Sequence, residues 1–164
     1  MPPEGFVPLD PRIVQVRQIV GLVNAAVFGG LTLFALGSVA LTVRPTWTMA
    51  GLGAVGWLMA TVAMAVWLWM WPSKAYTYAS YRLDADGLEI RRGVVFRRVI
   101  NLPRSRVQHT DVSQGPIERS YGLSTLIVHT AGSEHARVAL VGLSREEALS
   151  LRDQLLPRDG RDAV

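Results

Sequence analysis

Between Gln18 and Val43 the chain runs 26 residues without a charged side chain, and between Thr46 and Trp71 it runs 26 more. A bilayer core about 30 Å thick is crossed by roughly 20 helical residues, so each stretch is long enough to span it. In lipid the backbone must satisfy its own hydrogen bonds, which leaves helices and closed barrels, and neither run alternates as a barrel strand does. Two buried helices of a soluble protein are the plainer alternative, but two adjacent uncharged runs of this length weigh against them. The expectation is an integral membrane protein built on a two-helix transmembrane hairpin. The first run also exceeds the roughly 7–15 apolar residues of a secretory signal. Residues 1–10 before it carry Glu4 and Asp10 and no base, so the span is expected to be retained.

The flanking bases predict orientation. Arg12 and Arg17 precede the first span, Arg44 alone lies in the turn at Arg44-Pro45, and Lys74, Arg82, Arg91 and Arg92 follow the second. The positive-inside rule then places both termini in the cytoplasm, with only the turn outside. Trp47 near one end, and Trp67, Trp69, Trp71, Tyr76 and Tyr78 near the other, suit interfacial anchoring, though each also suits plain lipid-facing bulk. Gly21, Ala25, Gly29 and Gly30 in the first span, and Gly51, Gly53 and Gly56 in the second, allow close helix approach to each other or to another protein. Asn24 offers a hydrogen bond within the bilayer worth around 1 kcal/mol. No ionisable residue lies mid-span, which argues against a proton relay, an ion pump or a transporter of charged substrates.

About half of the 164 residues go into these spans, so the soluble remainder is small. With no cysteine, disulfides, thiolate nucleophiles and cysteine metal sites are excluded. The formal charge of +4 rests on sixteen Arg and one Lys. Basic flanks of a membrane anchor account for it more simply than nucleic-acid binding does, and no basic-aromatic reader motif is present.

After Pro72 the texture changes. Residues 76–83 are aromatic and β-prone and end in the turn signal Asp84-Ala-Asp86-Gly87. Further strands are expected over 88–92, 94–102, 106–113, 123–130 and 137–141, with an irregular stretch over 114–122 and a hairpin turn at Ala131-Gly132-Ser133. Short strands about ten residues apart suggest a small sandwich or barrel. Ser144-Arg-Glu-Glu147 has the form of a capping box, and Ala148, Leu151 and Leu155, with Leu149 and Leu156, form one apolar helical face. Pro157 ends that helix. The expected organisation is an N-terminal cytoplasmic segment over 1–17, the hairpin over 18–72, a cytoplasmic β domain closed by a helix over 73–157, and a polar tail over 158–164.

Two spans, then YRLDADGLEIRRGVVFRRVINLPRSRVQHTDVSQGPIERSYGLSTLIVHTAG, then a capped helix: this order resembles the bacterial PH-like membrane family, the YdbS-like proteins with a type 2 bacterial PH domain. The stretch 100–123, with its basic strand, Pro-led turn and Gln-Gly-Pro-x-x-Arg-x-x-Gly, carries the resemblance most specifically. It implies a PH-like β-sandwich or barrel with a C-terminal capping helix, tethered to a membrane. It implies no enzymatic activity and no particular ligand.

The residues of that signature also have plain structural readings. Gly115 and Gly122 suit positive φ or close backbone approach, Pro116 fixes a turn, and Arg119 suits a bond to loop carbonyls or to Asp111. Arg91, Arg92, Arg97, Arg98, Arg104 and Arg106 fall within sixteen residues with no acid after Arg91, and the short junction at Lys74 keeps them near the headgroups. Each Arg at an anionic surface gains roughly 1 kcal/mol. A solvated strand face is the simpler alternative, with Arg97 and Arg98 on opposite sides of a continuous strand. His109, His129 and His135 show no metal-ligand spacing, and Asp84-x-Asp86-Gly87 lacks the rest of a calcium loop. No nucleophile elbow, P-loop or dinucleotide fingerprint is present, so neither an enzyme, a metal site nor a cofactor is expected. Two readings stand. The preferred one is a membrane-tethered interaction or scaffold module, an accessory protein that docks with other membrane proteins or self-associates, its open β-edges offering strand addition. The other is sensing of anionic lipid headgroups by the basic segment.

Overall fold

The computed structural model describes residues 5–131 and 137–155. Its Cα positions divide into two compact units, Met1–Val16 with Lys74–Val164, and Arg17–Ser73. The chain order is β1 (Val7–Pro8), α1 (Arg12–Val43), α2 (Trp47–Thr77), β2 (Ser80–Leu83), β3 (Gly87–Arg92), β4 (Arg98–Pro103), β5 (Val107–Ser113), α3 (Pro116–Ser120), β6 (Leu123–Thr130), β7 (Arg137–Ser144) and α4 (Arg145–Leu155).

In the apolar unit Gly21 and Gly29 of the first span find their partner within this chain, whereas Gly30 meets nothing within 4 Å. A Cβ on Gly21 would lie 3.1 Å from Leu68 Cβ, and one on Gly29 would lie 3.1 Å from Thr61 Cγ2. With Ala25 buried between them, positions four apart let α1 and α2 approach closely. Two polar bonds join the pair: Trp57 Nε1 donates to Thr32 Oγ1 at 3.0 Å, and Gln18 Nε2 to the Trp69 carbonyl at 3.0 Å. Gly51, Gly53 and Gly56 meet nothing within 4 Å, so those glycines do not serve this contact. Arg44 turns the chain between the helices with φ +49°.

Both helices are longer than the uncharged runs. α1 starts six residues before Gln18 because Asp10 caps it, accepting the Arg12 N–H at Oδ1 (2.8 Å), with Pro11 beside it pre-set for a first turn. α2 continues through Pro72 to Thr77, so residues 76 and 77 are helical where a strand was expected. Proline lacks only its own N–H, and Thr77 closes the end by donating Oγ1 to the Lys74 carbonyl at 2.8 Å.

The β-rich unit holds two antiparallel sheets, β1-β2-β3-β4 and β5-β6-β7. Alternate residues of each point into one core: Leu88, Ile90, Ile100 and Leu102 from the first sheet, Leu126, Val128, Val138 and Leu140 from the second. α4 covers it with Ala148, Leu151 and Leu155, and the capping box stands as read, Glu147 N–H to Ser144 Oγ (3.2 Å) and Ser144 N–H to Glu147 Oε2 (2.9 Å). Two antiparallel sheets closed by a C-terminal helix are the architecture that the resemblance implied. Most of the hairpin turn expected at Ala131-Gly132-Ser133, with the rest of residues 132–136 and the residues from 156 on, lies outside the described residues.

Residues 5–16 belong to this unit. β1 pairs with β2, Val7 opposite Tyr81. Leu9 enters the main core, and Ile13 and Val16 pack with Leu123 in a second cluster. Asp10 N–H bonds the Gly142 carbonyl (2.8 Å), and Tyr76 Oη bonds the Leu9 carbonyl (3.1 Å).

Candidate functional site

The β3–β4 hairpin organises the basic residues. Arg92 pairs with Arg98 across it, so residues 93–97 form the connecting loop, and the strand expected from Val94 begins only at Arg98. Gly93 makes the turn possible: φ is +115°, and a Cβ there would fall onto the Phe96 carbonyl oxygen. The loop holds Val95 71% exposed and Phe96 81% exposed, with Val99 of β4 57% exposed beside them.

Behind this tip lies a cleft of about 630 Å³, walled on one side by residues 76–80 with Pro8 and on the other by Arg91, Arg92, Gly93, Arg97, Arg98 and Val99. Among the described residues no carboxylate lines it. Arg91 is already compensated, its Nε 2.8 Å from Glu89 Oε1 and its guanidinium 4.0 Å from the centre of the Phe6 ring. Glu89 also takes Arg82 at 3.0 Å. Arg97 lies 5.7 Å over the Tyr78 ring, within cation–π range. Arg92, Arg97 and Arg98 have no carboxylate partner among the described residues, so the net positive charge of the cleft rests on these three.

The loop therefore brings Arg97 and Arg98 to one cleft instead of opposite strand faces. Arg104 and Arg106 are set apart. They occupy a single 3₁₀ turn beyond the far end of β4, and Arg104 Nη2 donates to the Asp84 carbonyl at 3.0 Å. At about 3.4 Å per residue, β4 separates them from the tip by roughly 17 Å.

The signature stretch over 114–122 is structural in the described geometry. Pro116 opens α3 at its first turn, as proline is suited to do, and Gly122 takes φ +69°. Gly115 departs from expectation: its φ is −73°, and its N–H donates to Glu118 Oε2 at 2.8 Å. Arg119 is exposed and forms no ion pair among the described residues. Asp111, suggested as its partner, instead faces His109 and His129.

A family model described as bacterial PH domain matches residues 19–159. The chain belongs to that family. The match takes in both long apolar helices as well as the β-rich unit, so this is a membrane protein with a PH-like domain. The UPF0699 transmembrane protein YdbS of Bacillus subtilis (strain 168) is 36% identical over 112 residues. Those residues cover 68% of this chain and 65% of that relative's length. No solved structure matches significantly. Neither match is to a known enzyme family.

Three contributors to the cleft region escaped the sequence reading. Phe6 lies outside any recognisable pattern, and only the pairing of β1 with β2 brings it to Arg91. Tyr76 and Tyr78 read as membrane-interface aromatics, yet both line the cleft; their place at the helix–strand junction, next to a basic hairpin, was the available signal.

Proposed function

We propose that the protein is a multi-pass membrane module, both termini cytoplasmic, whose PH-like domain engages the anionic headgroup layer through the tip and cleft of the β3–β4 hairpin. The observation that carries this reading is the combination of an exposed Phe96 and Val95 with three arginines that have no acidic partner among the described residues. Apolar tip residues enter the acyl boundary while the arginines meet phosphates, the division of labour found in interfacial binding. Only a few residues separate the end of the second span from β2, so chain connectivity keeps the domain at high local concentration beside a bilayer. Docking to other membrane proteins or self-association is a compatible second reading. It is favoured by Gly51, Gly53 and Gly56, which α1 leaves uncovered, and by an apolar groove edged by Asn24, Phe28 and Trp57.

The chain has no cysteine, so a single Val95→Cys variant takes one environment-sensitive fluorophore. In proteoliposomes of the full chain, the label should shift to the blue and be quenched by spin-labelled lipid when phosphatidylglycerol is present. Arg92→Gln, Arg97→Gln and Arg98→Gln together should reverse both signals, as should high salt. A label at Val95 no more lipid-sensitive than one at exposed Ser120→Cys would sink the proposal. A stoichiometric partner retained in mild detergent, with no lipid signal, would move the assignment to the docking reading.

A further inference from the structure

Strand pairing assembles a set of ligands that no local spacing announces. His109 of β5 and His129 of β6 are direct partners across the ladder. Asp111 stands two residues along β5, and side chains two apart share a face. The His109 and His129 rings stack with centroids 4.1 Å apart and planes inclined by 10°. Asp111 Oδ2 lies 3.5 Å from His109 Nε2 and 3.5 Å from His129 Nε2. One ligand atom from each residue lies within 4.8 Å of the others. We propose that His109, Asp111 and His129 form a binding site for a divalent first-row transition ion, with Zn²⁺ as the representative species.

The distances favour a shared ion over direct bonding. A strong N–H···O bond to a carboxylate closes to about 2.7–2.9 Å, and Asp111 reaches neither imidazole that closely. Two ligands at about 2.1 Å from one tetrahedral zinc are about 3.4 Å apart, matching both nitrogen–oxygen separations. Two imidazoles and one carboxylate suit zinc, cobalt, nickel or copper, whereas calcium and magnesium prefer all-oxygen sets. Three protein ligands leave a tetrahedral ion one position for water or an outside ligand. Loading requires the parallel rings to splay so that their lone pairs converge. The side chains of His109 and Asp111 are each 60% exposed and that of His129 28%, so rotation meets little packing.

The site also has a structural consequence. The β5–β6 register shifts between Val107 and His109, so an ion held by both strands would clamp the ladder beside its irregularity. Arg137 is the β7 partner of His129, so its positive charge lies along that row, and its removal should tighten binding.

The test uses the full chain, purified in mild detergent with a histidine-free tag and stripped with chelator. Zn²⁺ titrated calorimetrically should bind one ion per chain, and Co²⁺ should develop the intense visible absorption of a tetrahedral site. His109→Ala, Asp111→Asn and His129→Ala should each weaken Zn²⁺ binding roughly tenfold or more, at least the loss seen when even an outer-shell partner is removed at metal sites. Arg137→Gln should strengthen it. Zn²⁺ should raise the melting temperature of the unsubstituted chain and not that of the three ligand variants. Zn²⁺ affinity and cobalt spectrum unchanged in all three variants would overturn the assignment, as would no saturable Zn²⁺ binding by the unsubstituted chain. If His129→Ala does not fold, the exposed His109 and Asp111 variants decide the matter.

Discussion

Tyr81 links the core of the β-rich unit to alkaline pH. It is buried on β2 with 6% of its surface exposed, and its phenol is pushed up to about 12, first by burial and then by the charge of Glu147. In the unfolded chain a tyrosine ionises near 10. Below pH about 10 both states keep the proton, and this contribution to stability is fully present. Between about 10 and 12 the unfolded chain has released a proton that the folded chain still holds, so stability falls by about 1.4 kcal/mol per unit. The loss approaches about 3 kcal/mol and levels off once the folded phenol also ionises. Near-ultraviolet titration of tyrosinate in detergent should show a late ionisation step, and Tyr81→Phe should abolish it. Denaturant unfolding across the same range should show the Phe variant losing less stability with pH than the unsubstituted chain. Glu147→Gln keeps an acceptor for the Ser144 N–H and removes the charge, so it should bring the late step to lower pH. An undivided tyrosine titration, or equal alkaline loss in Tyr81→Phe, would refute the reasoning.

Two further outcomes follow from backbone and packing. Gly93→Ala places a side chain on a left-handed residue and against the Phe96 carbonyl; it should cost at least about 1–3 kcal/mol in thermal or denaturant unfolding, whereas Gly115→Ala, at negative φ with only ordinary contacts, should cost well under that. Ile13→Ala removes a buried side chain packed beside Val16 and Leu123 and should destabilise the β-rich unit by about 2–4 kcal/mol, a loss that an unattached N-terminal leader would not show.

Much of the fold was legible because its signals are local. Charge-free length marked the spans, short β-prone runs between turn signals marked the strands, and Ser144 with Glu147 marked the start of α4. The departures arise where a local signal meets a tertiary one. Pro72 reads as a stop, but a helix loses only one hydrogen bond there and continues. Residues 94–97 have strand-like composition, yet Gly93 turns the chain and the register of Arg92 with Arg98 assigns them to a loop. Asp10-Pro11 is a helix start that can be read from sequence, but the strand before it gains meaning only from pairing with β2. The basic segment was visible as composition, while its division into a tip and a distant turn depends on where β4 begins and ends. The histidines were judged by sequence spacing, and a cross-strand pair separated by twenty positions has none to offer.

The exposure of the tip is itself an argument. Full burial of a valine or phenylalanine side chain is worth about 1.5–3 kcal/mol, and this hairpin leaves that gain unrealised in water. Val94, one residue from the turn glycine, is partly covered, so the loop does not simply lack a surface to pack on. A lone exposed apolar residue would need no explanation. Here Val95, Phe96 and Val99 are exposed together, among guanidinium groups without acidic partners among the described residues, and no carboxylate of those residues lines the adjoining cleft. Water rewards only the charged half of that surface. A boundary between acyl chains and anionic headgroups rewards both halves, and the second span brings the chain to such a boundary a few residues before β2.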